Sequence, residues 1–198
     1  MKKLTFPLKF NFKISTLASD FTVTDASGSQ VAYVRQKMFK LKEEVKVYKD
    51  ESKSELIATI KADKWLDFSA SYNFWDENGN NFGKIGRKGW ASLWKAHYEI
   101  FDASPKLNFT VREGNAWVKV VDGLIGEIPI LNLFTGYLFN PSYDVTDEKG
   151  DIVARLTKEP SFWGRKFTVD RAGQIEDDEE ERIVIGLMMM VLLERRRG

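Results

Sequence analysis

The chain has a single histidine, His97, and no cysteine, which narrows the chemistry its 198 residues can perform. Cysteine nucleophiles, thiolate metal sites and disulfides are excluded, and so are sites built from several imidazoles. His97 is a lone histidine with no second nucleophilic partner, and a catalytic role would need an orienting geometry that sequence does not show. It directly precedes an aromatic-rich segment at Tyr98 and reads as a strand residue. The acidic run Glu176 to Glu181 offers carboxylates of the kind that hold Ca²⁺, which takes about six to eight oxygen ligands. Consecutive acids on a helix point in different directions, however, and no spaced loop of ligands follows. The run reads as charge placed at a helix N-terminus. Asp76-Glu-Asn-Gly79 resembles the start of a calcium loop without its other ligands, and reads as a turn. No catalytic residue, metal site or cofactor is assigned, and the protein is expected not to be an enzyme.

Basic residues beside tryptophan form the remaining motif. Gly-Arg-Lys occurs twice, in Gly86-Arg-Lys-Gly-Trp90 and in Trp163-Gly-Arg-Lys166. Cations next to interfacial aromatics suit an anionic membrane surface or a phosphorylated headgroup. Arg87, Lys88, Arg165 and Lys166 are therefore the candidate ligand-binding residues. Strand-end residues of a barrel would look the same. Overall, Lys plus Arg number 30 and Asp plus Glu 29, so no global field draws in nucleic acid.

The element that must organise these residues is the C-terminal stretch. From Glu176 to Arg197 it reads acidic run, apolar block, basic run. Those charges match the macrodipole of a helix over about residues 177–196. The block from Ile183 to Leu193 has no polar face, so the helix is buried on every side or lies in a bilayer. Its 11 residues fall short of the roughly 20 that span a hydrocarbon core. Burial within the protein follows, and the preceding residues must form a container. Gly186, inside this helix, costs about 1 kcal/mol relative to alanine. A barrel side chain approaching closely, one of the tryptophans for example, is the expected compensation.

The container is legible as an internal repeat. Phe21 to Gly28, Tyr72 to Gly79 and Tyr143 to Gly150 each place apolar residues two and four before an aspartate, with glycine three after it. Tyr98 to Pro105 is a fourth copy with proline in the glycine place. Weaker copies centre on Asp50 and Asp122. Each reads as a β-hairpin, aspartate accepting hydrogen bonds from the turn and glycine taking a positive φ. Phe6 to Ile14 alternates as a further strand, and Phe162 to Val169 as a last one. Six hairpins imply about twelve antiparallel strands. A sheet of that size has open edges unless it closes, and a barrel so wide needs a plug. The expected fold is mainly β: a single domain over 1–198, a closed antiparallel barrel of about twelve strands around the buried C-terminal helix. The six tryptophans are expected to help fill it.

These hairpins, the segment Gln36-Lys-Met-Phe-Lys-Leu41 and the apolar C-terminal helix resemble the LURP-one-related proteins, over roughly Thr22 to Leu193. That family is similar in fold to the tubby C-terminal domain and the phospholipid scramblases. The resemblance implies a tubby-like barrel around a central helix. Tubby domains bind phosphoinositide headgroups through basic residues, and scramblase relatives are associated with bilayers and calcium. No tubby pocket motif aligns here, so no residue is carried over. The cysteine-rich segment and proline-rich tail of animal scramblases are missing.

The expected function is a binding module for anionic lipid headgroups or another phosphorylated ligand. The alternative is a protein-interaction scaffold without a small ligand. Lysines interrupt the apolar residues of the N-terminal MKKLTFPLKFNFKIST, which does not match a signal peptide. A monomer in the cytoplasm, or peripheral at the inner membrane surface, is expected. A basic concave patch would favour the first reading, a large exposed apolar patch the second, and a buried carboxylate pair in a pocket an enzyme.

Overall fold

A computed structural model of the chain describes residues 4–13, 19–37, 44–63, 71–88, 97–114, 141–160 and 166–195. In chain order these form β1 (Leu8–Phe12), β2 (Phe21–Thr24), β3 (Gln30–Lys37), β4 (Glu44–Tyr48), β5 (Leu56–Ala62) and β6 (Ser71–Asp76). There follow β7 (Asn81–Arg87), β8 (His97–Phe101), β9 (Leu107–Glu113), β10 (Ser142–Thr146), β11 (Ile152–Glu159), β12 (Lys166–Arg171) and the helix α1 (Asp177–Arg195). Sequential strands pair antiparallel, and β12 returns to β1 through Leu8↔Val169 and Phe10↔Phe167, closing the barrel. Closure leaves none of the described strands with a free edge to pair with another chain. Alternation decides which residues point inward. In β1, Leu8, Phe10 and Phe12 are buried while Lys9 is exposed.

The five hairpins β2–β3, β4–β5, β6–β7, β8–β9 and β10–β11 share one turn. A carboxylate oxygen of Asp76 accepts the N–H groups of Asn78 (2.9 Å) and Asn80 (2.7 Å). Asp25, Asp102 and Asp147 hold their turns in the same way, and Asp50 accepts from Ser52 at 2.8 Å. Each hairpin also carries a register shift within the three residues before its aspartate. Hydrogen bonds hold three of these carboxyls below the ordinary value, led by the Ser27 hydroxyl at Asp25, the Ser52 hydroxyl at Asp50 and the Asn80 side chain at Asp76. A lowered folded pKa stabilises above the unfolded value, and that support is lost as pH falls through the folded one.

Three residues after the aspartate the chain turns left-handed, at Gly28, Gly79 and Gly150 with φ of +82°, +84° and +90°. Lys53 takes the same place with φ +61°. A side chain there costs about 1–2 kcal/mol, partly offset because glycine loses more freedom on folding, about 0.4–1 kcal/mol. Lys53→Gly is therefore expected to stabilise by up to about 1 kcal/mol, raising the urea midpoint at unchanged slope. A lower midpoint would mean that the Lys53 ammonium over the Tyr33 ring, 5.9 Å from its centroid, contributes more than the strain costs.

The ring closes without the hairpin expected at Asp122. β9 pairs directly with β10, as in Val111↔Val145, and β1 with β12 supplies the two strands that complete the twelve. Asp122 itself lies outside the described residues. α1 fills the lumen: every residue from Ile183 to Leu192 is buried, and its side chains share one apolar core with all twelve strands. The barrel packs closely at Gly186. A Cβ there would lie 2.9 Å from Ile100 Cδ1 and 3.7 Å from Ile85 Cδ1. The expected close approach is present, and among the described residues isoleucine makes it. Trp75 is only half-buried, and the other five tryptophans lie outside the described residues.

Candidate functional site

The meander gives the barrel two unlike ends. The five aspartate turns and the start of α1 lie at one. The opposite rim holds the other strand ends and the end of α1, and it contains Arg87, Lys88 and Lys166. Arg87 ends β7 and is half-buried, on the inward-facing side of the strand with Ile85. Lys88 is exposed and pairs through Nζ with Glu99 Oε1 at 2.8 Å. Lys166 opens β12, exposed, across from Asn11 and Glu159. Arg165, Trp90 and Trp163 lie outside the described residues. β7 and β12 stand five places apart in the ring of twelve, nearly opposite across a barrel roughly 20 Å wide. Arg87 with Lys88 and Lys166 thus share a rim and stand on nearly opposite sides of the ring.

Within that rim the end of α1 meets polar groups that sequence reasoning did not single out. Tyr98 donates its hydroxyl to Glu194 Oε1 at 2.6 Å. Burial, then the Glu194 charge, pushes the Tyr98 hydroxyl pKa up, while the Arg87 charge opposes the shift. Burial and Glu194 likewise raise Tyr143. The Arg195 guanidinium lies over the Phe12 ring, 4.8 Å from its centroid. His97, on the outer side of β8, is held below its ordinary pKa by burial and by Arg112.

The turn end is held differently. Arg182 is buried, its Nε donating to the Phe82 carbonyl at 3.0 Å and its Nη2 to Asp178 at 3.0 Å. Its stem passes where Gly83 has no side chain: a Cβ at Gly83 would lie 2.9 Å from Arg182 Cδ and 2.6 Å from the Phe101 carbonyl, at φ +155°. Glu180, also buried, accepts from Arg171 Nη1 at 2.9 Å, and Arg171 Nη2 donates to the Ile175 carbonyl. These bonds fix the rotation and depth of a helix whose apolar block specifies neither.

An open cleft of about 540 Å³ beside Arg182 is lined by Asp76, Glu77, Asn81, Phe82, Asp102, Asp178 and Glu181. Asp76 and Asp102 use their carboxylates on turn N–H groups. No group of three or more metal-ligating side chains suited to a metal ion occurs among the described residues. The charge of this end is one-sided. Asp25, Asp50, Glu51, Asp76, Glu77, Asp102, Asp147, Glu148, Asp151 and the run Glu176 to Glu181 outnumber the cations beside them, among which are Lys49, Lys53, Lys106 and Lys149 in the turns, Lys13 on Glu51, Arg171 on Glu180 and Arg182 on Asp178.

The family model described as LURP-one-related matches residues 30–189, from the start of β3 into α1. The chain belongs to the LURP-one-related family. The X-ray structure of a protein from Arabidopsis thaliana is similar to this LURP-one-related chain with a TM-score of 0.52 and 13% identity. The match covers 98% of this chain and 94% of that one, and at such identity it is a likeness of fold. No curated protein matches the chain.

Proposed function

We propose that this LURP-one-related barrel is a non-enzymatic binding module that sets its helix-C-terminal rim against an anionic lipid surface. The observation that carries the reading is the charge polarity of the barrel. The chain is close to neutral at +1, so the acid gathered at the turn end leaves an excess of base on the remainder. Near an anionic surface the acidic end is repelled and the opposite rim turns inward. Arg87 with Lys88 and Lys166, on nearly opposite sides of one rim, suit a broad charged plane such as an anionic cytoplasmic leaflet. The described surface also lacks the marker of a protein scaffold, its exposed large apolar residues being Leu107 and Ile152.

Co-sedimentation with liposomes containing phosphatidylglycerol or phosphoinositide, at low and physiological salt, tests this. Each cation near such a surface contributes about 1 kcal/mol within a Debye length. Replacing Arg87, Lys88, Arg165 and Lys166 together by glutamate is expected to weaken binding roughly a thousandfold. Because Arg87 also lies beside the Tyr98 contact with α1, Lys88→Glu/Lys166→Glu is measured in parallel, with a loss of roughly thirtyfold expected. Circular dichroism establishes that the variants fold. Salt-insensitive binding, or binding unchanged in both variants, would remove these residues from the site. Wild-type protein that binds no anionic liposome would leave the scaffold reading.

A further inference from the structure

The five aspartate turns share a backbone but differ in chemistry. Two and three residues after the aspartate stand Ser27-Gly28, Ser52-Lys53, Asn78-Gly79, Ser104-Pro105 and Lys149-Gly150. Among these turns the third alone places a side-chain carboxamide directly before a glycine. Asn78 and Gly79 are both exposed, and a Cβ built on Gly79 would meet nothing within 4 Å. No packing therefore restrains this stretch; what holds it is the turn's own bonding. The Gly79 N–H reaches the Asp76 carbonyl at 3.2 Å, the long end of the usual range. A glycine nitrogen also carries no neighbouring side chain to obstruct close approach.

We propose that Asn78-Gly79 is a site of spontaneous deamidation, with water as the co-reactant. The Gly79 backbone nitrogen, giving its proton to solvent base, attacks Asn78 Cγ. A C–N bond forms, the carboxamide nitrogen leaves as ammonia, and a five-membered succinimide remains. Water then opens the ring at one of its two carbonyls. Cleavage of the new bond gives aspartate at position 78, and cleavage at the main-chain carbonyl gives isoaspartate, with the backbone routed through the former side chain. One water enters, one ammonia leaves, and nothing is oxidised or reduced.

Both products add a carboxylate beside Asp76 and Glu77, at the end of the barrel that is already acidic. Isoaspartate also lengthens the main chain inside a turn where the N–H groups of residues 78 and 80 both bind Asp76. That turn leads directly into β7, whose Phe82 carbonyl holds Arg182 of the buried helix.

The test is ageing of the full-length folded protein at mildly alkaline pH, followed by peptide mapping and by methyl transfer from an isoaspartyl methyltransferase. The peptide containing residue 78 is expected to show the amide-to-acid mass gain and to accept methyl groups, while those of Asn73, Asn80 and Asn81 stay amides. Asn78→Ser, the residue found in three of the sister turns, is expected to abolish both signals. A chain aged in denaturant serves as the control. If Asn78 converts there but stays intact in the folded protein over the same interval, the turn protects the site and the proposal is wrong. Conversion that persists in Asn78→Ser places the chemistry elsewhere and overturns it as well.

Discussion

A chain ending at Gln174 is expected to show no cooperative unfolding transition. The removed segment contains Ile183, Val184, Ile185, Leu187, Met188, Met189, Met190, Val191 and Leu192, each at most 1% exposed. Full burial of one such side chain contributes about 1.5–3 kcal/mol, and a typical domain has a net stability of only about 5–15 kcal/mol. Loss of all nine, roughly 13–27 kcal/mol, matches or exceeds that margin. Strand side chains cannot compensate, because a ring of twelve encloses more space than they fill. Met189→Asp is expected to come close to the same outcome with the chain otherwise intact, since it buries a charge with no partner in the apolar block. Calorimetry and near-ultraviolet circular dichroism would report a broad or absent transition for both. A sharp melt of the truncated chain would mean that the barrel holds its shape without a plug.

The fold was legible because its signals are local. An aspartate with apolar residues two and four before it and a left-handed position three after it specifies a hairpin from eight residues. An apolar block without a polar face specifies a buried helix from eleven. What stayed hidden depends on closure, which is non-local. Gly86-Arg-Lys and Gly-Arg-Lys166 look like one motif used twice, yet strand order puts Arg87 and Lys166 nearly opposite. Asp122 looks like its fellows, yet β9 meets β10 directly. The helix anchors were missed for another reason. Glu180 and Arg182 sit in a charged run that reads as solvated, and only the barrel wall brings Arg171 and the Phe82 carbonyl to them. Gly83, in Phe82-Gly83-Lys84, gave no hint that it makes room for an arginine stem.

Gly186→Leu is expected to destabilise by about 1–3 kcal/mol through overpacking, although leucine is the better helix former by somewhat under 1 kcal/mol. The sign is decided at the β8 wall. A Cβ alone would already sit 2.9 Å from Ile100 Cδ1 and 3.3 Å from Ile100 Cγ1, and leucine extends beyond it toward Ile85. Neither isoleucine has room to withdraw, since both are fully buried and a close-packed interior has few voids. The double mutant with Ile100→Val isolates the contact, because valine lacks the Cδ1 that the new side chain strikes. Ile100→Val alone is expected to cost about 0.5–1.5 kcal/mol. In that background the leucine should cost less than in the wild type, with a coupling of about 0.5–3 kcal/mol. Denaturant unfolding of the four proteins in the cycle measures it. Additive losses would place the strain of the leucine somewhere other than Ile100, and a leucine variant more stable than wild type would show that the helix and β8 have slack between them.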